Sequence, residues 1–370
     1  MTTVPQPERI LVRGVNWLGD AVMTTPALMR LRQAHPQAHV TLLTPAKLAE
    51  LWRGHPAIDA VLSIEPEEGL LGIARRIREG NYGIGIVFPN STRSALELFV
   101  GRVPKRVGFA RPWRTWALTD RVPCSHRKIT TRKRSIAEIR RLTRDEPTKP
   151  RQTYLASAHH VTDYLKIVQA LGANPEPTAP IIPLSDEEVA AVRLRFDAPV
   201  QQPLFGLNPG AEYGPAKRWP EERFVEVAQS IAKQINCRWW VFGALGDVAV
   251  AERILSKLPK GAAHSLAGKT SLRELCACLK ACDVVLTNDT GPMHLAAAVG
   301  TPVVVPFGST SPELTGPGWP VGRGHELIPG QAPCAPCFRR ECPVDFRCMR
   351  SISADTVVEA VLRIYKRRHE

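Results

Sequence analysis

The sequence predicts an α/β protein built from two doubly wound halves. Short β-branched runs alternate with helical periodicities over the first ninety or so residues, and the same alternation restarts beyond residue 184. Between them lies Asn174-Pro-Glu-Pro-Thr-Ala-Pro-Ile-Ile-Pro183, with four prolines in ten residues. Regular succession of strand and helix implies parallel βαβ units. Proline at that density continues neither a helix nor a central strand, so the segment reads as a linker.

In the first half, Ile10 to Gly14 reads as a strand, Asp20 to Gln33 as an amphipathic helix and His39 to Leu43 as the next strand. Lys47 to Arg53 looks helical, Asp59 to Ile64 extended, Leu70 to Glu79 helical and Gly83 to Phe88 extended. The pattern blurs through a basic stretch and recovers at a helix over His159 to Leu171. After the linker, Ser185 to Arg195 is a helix opened by a Ser-Asp-Glu-Glu capping pattern. Strands are predicted at Leu204–Asn208, Arg238–Gly243, Asp283–Thr287 and Pro302–Phe307. Helices are predicted at Glu221–Gln234, Val248–Leu258, Ser271–Lys280 and Thr290–Val299. Ligands of such folds sit outside the carboxyl ends of the strands, and with two domains the cleft between them is the natural site.

The 370 residues are 44% apolar and 23% charged, a globular balance that excludes a disordered or fibrous chain. The apolar runs are strand-sized, far short of the roughly 20 residues of a membrane span. Met1 to Arg9 lacks the apolar core of a secretory signal, so a cytoplasmic chain is expected. The formal charge is +14, and Arg102 to Arg151 holds 16 Lys or Arg against 4 Asp or Glu, which is +12 of it. Such a cluster favours an anionic partner: a nucleic acid, a phosphorylated glycolipid or an anionic membrane. A single residue such as Arg132 or Arg140 reads equally well as part of a solvated face.

Three strand-to-helix turns carry candidate chemistry. Gly14-Val-Asn-Trp-Leu-Gly-Asp20 lacks the dinucleotide Gly-x-Gly-x-x-Gly spacing. It places Asp20 at a helix start, either as a plain N-cap or as a general base at the end of the first strand. Asn208 to Pro220 has two glycines and three prolines before a helix. Its small residues let amides approach an anion, and Lys217 adds a mobile charge, unless the loop is only a rigid surface turn. Thr287-Asn-Asp-Thr-Gly-Pro-Met-His294 offers Asp289 or Thr290 as a cap, Gly291 for close approach and His294 on the first helical turn. No Asp-x-Asp pair occurs, so a bound diphosphate would be neutralised by lysine and amides rather than through a carboxylate-held metal. No P-loop occurs either. Of nine cysteines, four form Cys334-x2-Cys337-x4-Cys342-x5-Cys348, compact enough to suggest a zinc or iron–sulfur site without being diagnostic of one.

Taken together, Asn16-Trp-Leu-Gly-Asp20 with Thr24-Thr-Pro-Ala-Leu28, Pro209 to Pro220, Leu266-Ala-Gly-Lys-Thr270, Asn288 to His294 and Phe307-Gly-Ser-Thr-Ser-Pro312 resemble the ADP-heptose:lipopolysaccharide heptosyltransferases, glycosyltransferase family 9, and most closely their heptosyltransferase II branch. The resemblance implies a GT-B fold of two Rossmann-like domains facing across a cleft. Residues 8–178 would bind the acceptor and 179–352 the nucleotide sugar, with a helix over 353–370 packing back on the first domain. It implies Asp20 as catalytic base in an inverting displacement and Lys217 on the donor diphosphate. Thr290, Gly291 and His294 would form the donor turn beside Asp289, with Asp247 at the ribose and Thr270 near the adenine. Gly291-Pro-Met departs from the leucine that usually follows this glycine.

The implied donor is ADP-heptose, with no cofactor or metal required. The implied acceptor is a lipid-linked anionic glycolipid of the heptosyl-Kdo2-lipid A type. A monomer is expected, peripheral to the cytoplasmic face of the inner membrane and without a nucleic-acid partner. Arg132, Lys133 and Arg134 would dock the anionic glycolipid. Transfer to another core position is an alternative. So is a basic nucleic-acid-binding protein with a zinc knuckle, which leaves the turns at Asp20, Lys217 and His294 unexplained.

Overall fold

The structure is a computed structural model that describes residues 8–123, 132–144, 158–199 and 201–370. They divide into two compact units, one from residues 1–128 and 160–183, the other from 129–159 and 184–370.

In the first unit, strands β1 (Arg9–Arg13), β2 (His39–Pro45), β3 (Ala60–Ile64), β4 (Ile84–Val87), β5 (Lys105–Phe109) and β6 (Asp120–Val122) form one sheet in the order β3-β2-β1-β4-β5-β6. Every pair is parallel, with Ile10 opposite Val40 and Ile84. The helices are α1 (Leu18–Met23), α2 (Thr25–Ala34), α3 (Ala46–Ala49), α4 (Leu70–Glu79) and α5 (Thr92–Val100), with α7 (His160–Gln169) joining the unit after a helix of the second. The single helix expected over Asp20 to Gln33 is two. Pro26 lacks the amide that would continue the ladder, so the chain restarts at Thr25 with proline in its first turn. Leu11, Leu43, Ile73, Ile77, Val87 and Leu98 interlock as the core between sheet and helices.

The second unit repeats the plan. Strands β7 (Leu204–Asn208), β8 (Arg238–Val241), β9 (Ala263–Ser265), β10 (Val284–Thr287), β11 (Val303–Phe307) and β12 (Glu326–Pro329) run in the order β12-β11-β10-β7-β8-β9. Reading from the unit's own first strand, this is the 3-2-1-4-5-6 order of the first sheet. The order reverses direction between β1 and β4 and again between β7 and β10, which makes those two places the topological switch points.

The unit's helices are α6 (Ile136–Arg144), α8 (Asp186–Arg195), α9 (Glu221–Ala232), α10 (Val248–Leu255), α11 (Leu272–Ala281), α12 (Gly291–Ala298), α13 (Pro312–Thr315), α14 (Arg347–Arg350) and α15 (Ala354–His369). Ser185 and Ser271 open α8 and α11 with reciprocal capping boxes, to Glu188 and Glu274.

Two boundaries differ from expectation. The described residues 132–144 and 158–159, expected in an 8–178 domain, cluster with the second unit. The cause is local: Ile139 of α6 is fully buried in the second unit's core, and Arg134 hydrogen-bonds the Cys337 and Pro336 carbonyls. Residues 353–370, expected to pack back on the first domain, also belong to the second unit. α15 lies against α9 and the β10–β12 side of the sheet and buries Val357, Val358, Val361 and Ile364 there. Four such side chains contribute about 1.5–3 kcal/mol each by removal from water, which fixes the helix in that place.

His55 gives the first unit a pH dependence. It is 2% exposed, packs edge-on to Trp52, and accepts at Nδ1 from the Ala57 amide at 3.3 Å. Burial lowers its pKa to about 4. The unfolded chain therefore takes up this proton first as pH falls, and the stability from the neutral ring, complete above about 6.5, is lost towards pH 4. In urea titrations, wild type should lose about 2 kcal/mol more than His55→Gln between pH 7 and pH 4.5. Equal losses would contradict it.

Candidate active site

At the first switch point the chain leaves β1 through Gly14–Trp17 and enters α1. Its N-cap is Trp17, without a side-chain cap bond, and Asp20 is the third helical residue, so Asp20 does not serve as the cap. The turn is held from its start by Arg13. Its Nε donates to Glu97 Oε2 at 2.7 Å, in a pair buried on both sides. Its Nη1 donates to Gly14 O and, at 3.2 Å, to Asn16 Oδ1. The Asp20 carboxylate is 31% exposed, with Oδ1 4.0 Å from His160 Nδ1 at the start of α7. Tyr164, one turn further along α7, packs edge-on to Phe88. Burial, and then the charges of Asp20 and Asp163, hold its phenol well above the usual range, so it stays protonated.

The second switch point brings three loops together. After β7, Asn208–Pro220 carries Lys217 in a short 3-10 turn, Pro215–Lys217. After β10, Asn288 and Asp289 lead into α12, and after β11 come Ser309 and Thr310, all four buried. Lys217 Nζ lies 2.7 Å from Asp289 Oδ2, with 14% and 3% of the side chains exposed, and 5.0 Å from the centre of the Tyr213 ring. Thr310 Oγ1 donates to the same carboxylate oxygen. Burial alone would raise the Asp289 carboxyl. The Lys217 ammonium, the hydrogen bonds from Lys217 and Thr310, and His294 more than offset this and hold it below the ordinary value, so it is ionised.

Thr290 is the N-cap of α12 but forms no side-chain cap bond; Pro292 carries no N–H and the Met293 amide donates to Thr290 O at 3.1 Å, which leaves the Gly291 amide as the first-turn donor for another acceptor. Gly291 and Pro292 fill the first turn and His294 is buried behind them.

Asn288 stitches these loops. Fully buried, it accepts from the Trp219 amide at 3.0 Å through Oδ1 and donates to Pro209 O at 2.7 Å through Nδ2. Both ends of the Lys217 loop are thereby tied to the β10–α12 turn. Glycine is required by the backbone at Gly214 of that loop, and at Gly210 it leaves room for the Asp247 side chain. Gly214 has φ +144°, and a Cβ there would lie 2.6 Å from Arg340 O; a Cβ on Gly210 would lie 2.5 Å from the Asp247 carboxylate. Asp247 therefore sits directly on the loop, accepting from the Ala244 amide at 3.0 Å, with Arg218 3.8 Å away. Thr270 is half-buried in the turn between β9 and α11, immediately before the cap residue Ser271.

Thus Lys217, Asp289 and His294 form one cluster with Thr290 and Gly291 beside it, and Asp247 borders its loop. Arg132, Lys133 and Arg134 are not on the unit that carries Asp20. Arg132 and Arg134 both pair with Glu138, at 2.9 and 2.7 Å, while Lys133 is exposed. Arg13, Asn288, Thr310 and His160 were not singled out from sequence, although Asn288 and Thr310 lie inside the quoted motifs. The cysteines at 334, 337, 342 and 348 are free thiols. Burial pushes Cys334 up to about 11 and Cys348 to about 12, so both are protonated. Among the described residues no group of three or more His, Cys, Asp or Glu is disposed to hold a metal ion.

Two doubly wound units, with a carboxylate at one switch point and a lysine beside an uncapped helix start at the other, define a GT-B glycosyltransferase. Solved structures share the fold. E. coli ADP-heptose lps heptosyltransferase II superposes with TM-score 0.77 at 24% identity, over 98% of this chain and 100% of that one. A glycosyl transferase family 9 member from Veillonella parvula gives 0.76 at 21%, over 97% of each. Lipopolysaccharide heptosyltransferase 2 of Salmonella typhimurium is 30% identical over 332 residues, 87% of this chain and 89% of the relative. The model of glycosyltransferase family 9 (heptosyltransferase) matches residues 70–346. The chain belongs to that family.

Replacing Asn288 with Ala leaves the Trp219 amide and Pro209 carbonyl buried without this partner, which should cost about 3 kcal/mol in urea unfolding. A loss below about 1 kcal/mol would show that Asn288 does not hold the two loops.

Proposed function

We propose that the protein transfers a heptosyl residue from ADP-heptose to the inner core of lipopolysaccharide, as the name of its 30%-identical relative suggests, with Asp20 as general base and inversion at the anomeric carbon. The observation that carries this reading is the placement of Asp20 after β1 and of Lys217 and Asp289 after β7 and β10, each at a switch point of its sheet.

Asp20 takes the proton of the acceptor hydroxyl while that oxygen bonds to the anomeric carbon. The bond from carbon to the diphosphate oxygen breaks and its electron pair leaves with ADP. Charge grows on the diphosphate as it departs. Lys217 has three donor hydrogens, so it can keep Asp289 and still donate to a phosphate oxygen, and the Gly291 amide at the start of α12 supplies a further donor. Asp289 holds the ammonium in place. Asp247 is assigned to the ribose and Thr270 to the adenine side. Lys217 and the Gly291 amide at the helix start take the place of a metal in neutralising the diphosphate.

The acceptor is proposed to be a lipid-linked, heptosyl-Kdo2-lipid A type glycolipid, reached from the cytoplasmic face of the inner membrane by a monomer. No helix among the described residues is long and apolar enough to cross a membrane. Exposed Lys133 and the outward side of Arg132 remain assigned to the anionic acceptor, whereas Arg134 is held by backbone carbonyls and Glu138.

Asp20→Asn should abolish transfer while leaving the ADP titration nearly unchanged. Lys217→Ala should weaken ADP binding by about tenfold or more, the cost of one charge-assisted hydrogen bond. Mass spectrometry of a defined glycolipid incubated with ADP-heptose reads the first, and calorimetry the second. Near-normal turnover of Asp20→Asn would overturn the base assignment, and glycosylation at a different sugar would move the enzyme to another core position.

A further inference from the structure

One surface of the first unit has the make-up of a membrane interface. β5 ends at Phe109, and the chain returns through residues 110–119 to begin β6. Within that crossover Arg114 is fully buried, donating from Nε to Phe109 O at 3.0 Å and from Nη1 to Pro89 O. Pinned there, the segment holds Trp113 and Trp116 outward, each 55% exposed. Trp116 meets the exposed Phe99 of α5 edge-to-face, 5.5 Å between ring centres, and the Arg106 guanidinium lies 5.4 Å from the Phe99 ring centre. The Trp113 indole donates to Asn90 O at 3.4 Å.

Asn90 follows β4, the neighbour of β1, so Trp113 stands at the same carboxyl edge of the sheet as Asp20. From Phe99 to Pro123 there are six Lys or Arg and one acid, Asp120. Water disfavours three large exposed rings, two of them held out by a buried anchor and the third, Phe99 on α5, in contact with Trp116. The headgroup region of a bilayer takes tryptophan and arginine in this combination, and the excess of cations selects an anionic bilayer over a neutral one.

We propose that Phe99, Trp113 and Trp116, with Arg106 and Arg111 around them, form a lipid-docking surface that seats the first unit on an anionic membrane and brings Asp20 to a lipid-borne acceptor. This deepens the proposed function and rests on its reading that the acceptor is lipid-linked.

The test sediments the full-length protein with extruded vesicles of phosphatidylethanolamine and phosphatidylglycerol, and with phosphatidylcholine alone. Wild type should bind the first and not the second. Trp113→Ser with Trp116→Ser should lower the partition by about tenfold or more, with ADP binding and turnover on a delipidated core acceptor unchanged. Arg111→Glu should lower it by about fivefold or more. Undiminished vesicle binding by the tryptophan variant overturns the proposal. So does a halved sedimentation-velocity mass in that variant, which would mean that the rings bury against a second copy. Binding lost on Arg132→Glu with Lys133→Glu but kept in the tryptophan variant overturns it too. Tryptophan-dependent vesicle binding without any heptosyl transfer would sink the proposed function and leave the docking surface standing.

Discussion

The second unit is organised around one buried ion pair. An ionised carboxylate that is 3% exposed, as Asp289 is, cannot persist without a partner. Lys217 and Thr310 are that partner set, one from the loop after β7 and one from the loop after β11. Breaking such a pair from one side costs about 3–5 kcal/mol, so the approach of the three loops contributes to the stability of the unit. Asn288 adds the fixed distance. It clamps both ends of the Lys217 loop to the turn that carries Asp289. The ammonium is thus placed next to an uncapped helix start, with hydrogens to spare.

The first unit solves the same geometric problem with different groups. Arg13 and Glu97 form the buried pair, and Arg13 extends from it to the carbonyl and side chain of the turn leading to Asp20. In both units the charged residue at the end of the first strand, or just beyond it, reaches the loop or helix that follows the fourth strand of its sheet. That is where the strand order reverses and the helices part, leaving room for a ligand. The repeated 3-2-1-4-5-6 order therefore gives each unit one switch point, and the proposed function puts the base on the first and diphosphate neutralisation on the second.

Much of this was legible in the residues. Apolar runs of four to seven bounded by turn residues located the strands that flank both switch points, and the Ser-Asp-Glu-Glu pattern before α8 is the capping box observed, whereas the box at Ser271 of α11 is seen only in the structure. The strands β5 and β6 were not legible, because Lys105 and Arg106 open the first and Asp120 and Arg121 the second, interrupting the apolar pattern, and only the later residues of each are buried. The site residues within motifs could be named, since Lys217, Asp289 and His294 are set by local turns. Their partners could not. The bond from Asn288 to Pro209 spans 79 residues and that from Thr310 to Asp289 spans 21, and no local pattern announces either. The allegiance of α6 and α15 was hidden for the same reason, resting on Ile139 and on the valines of α15 finding one particular apolar surface.

The central claim is that the donor diphosphate lands on Lys217 and the start of α12. Amide hydrogen exchange, measured by mass spectrometry with and without saturating ADP, tests it most directly. The account predicts slowed exchange in peptides covering Tyr213–Trp219 and Asn288–His294, and little change across Gly14–Met23. ADP-dependent protection that spares Asn288–His294, or that centres on Gly14–Met23, would contradict it.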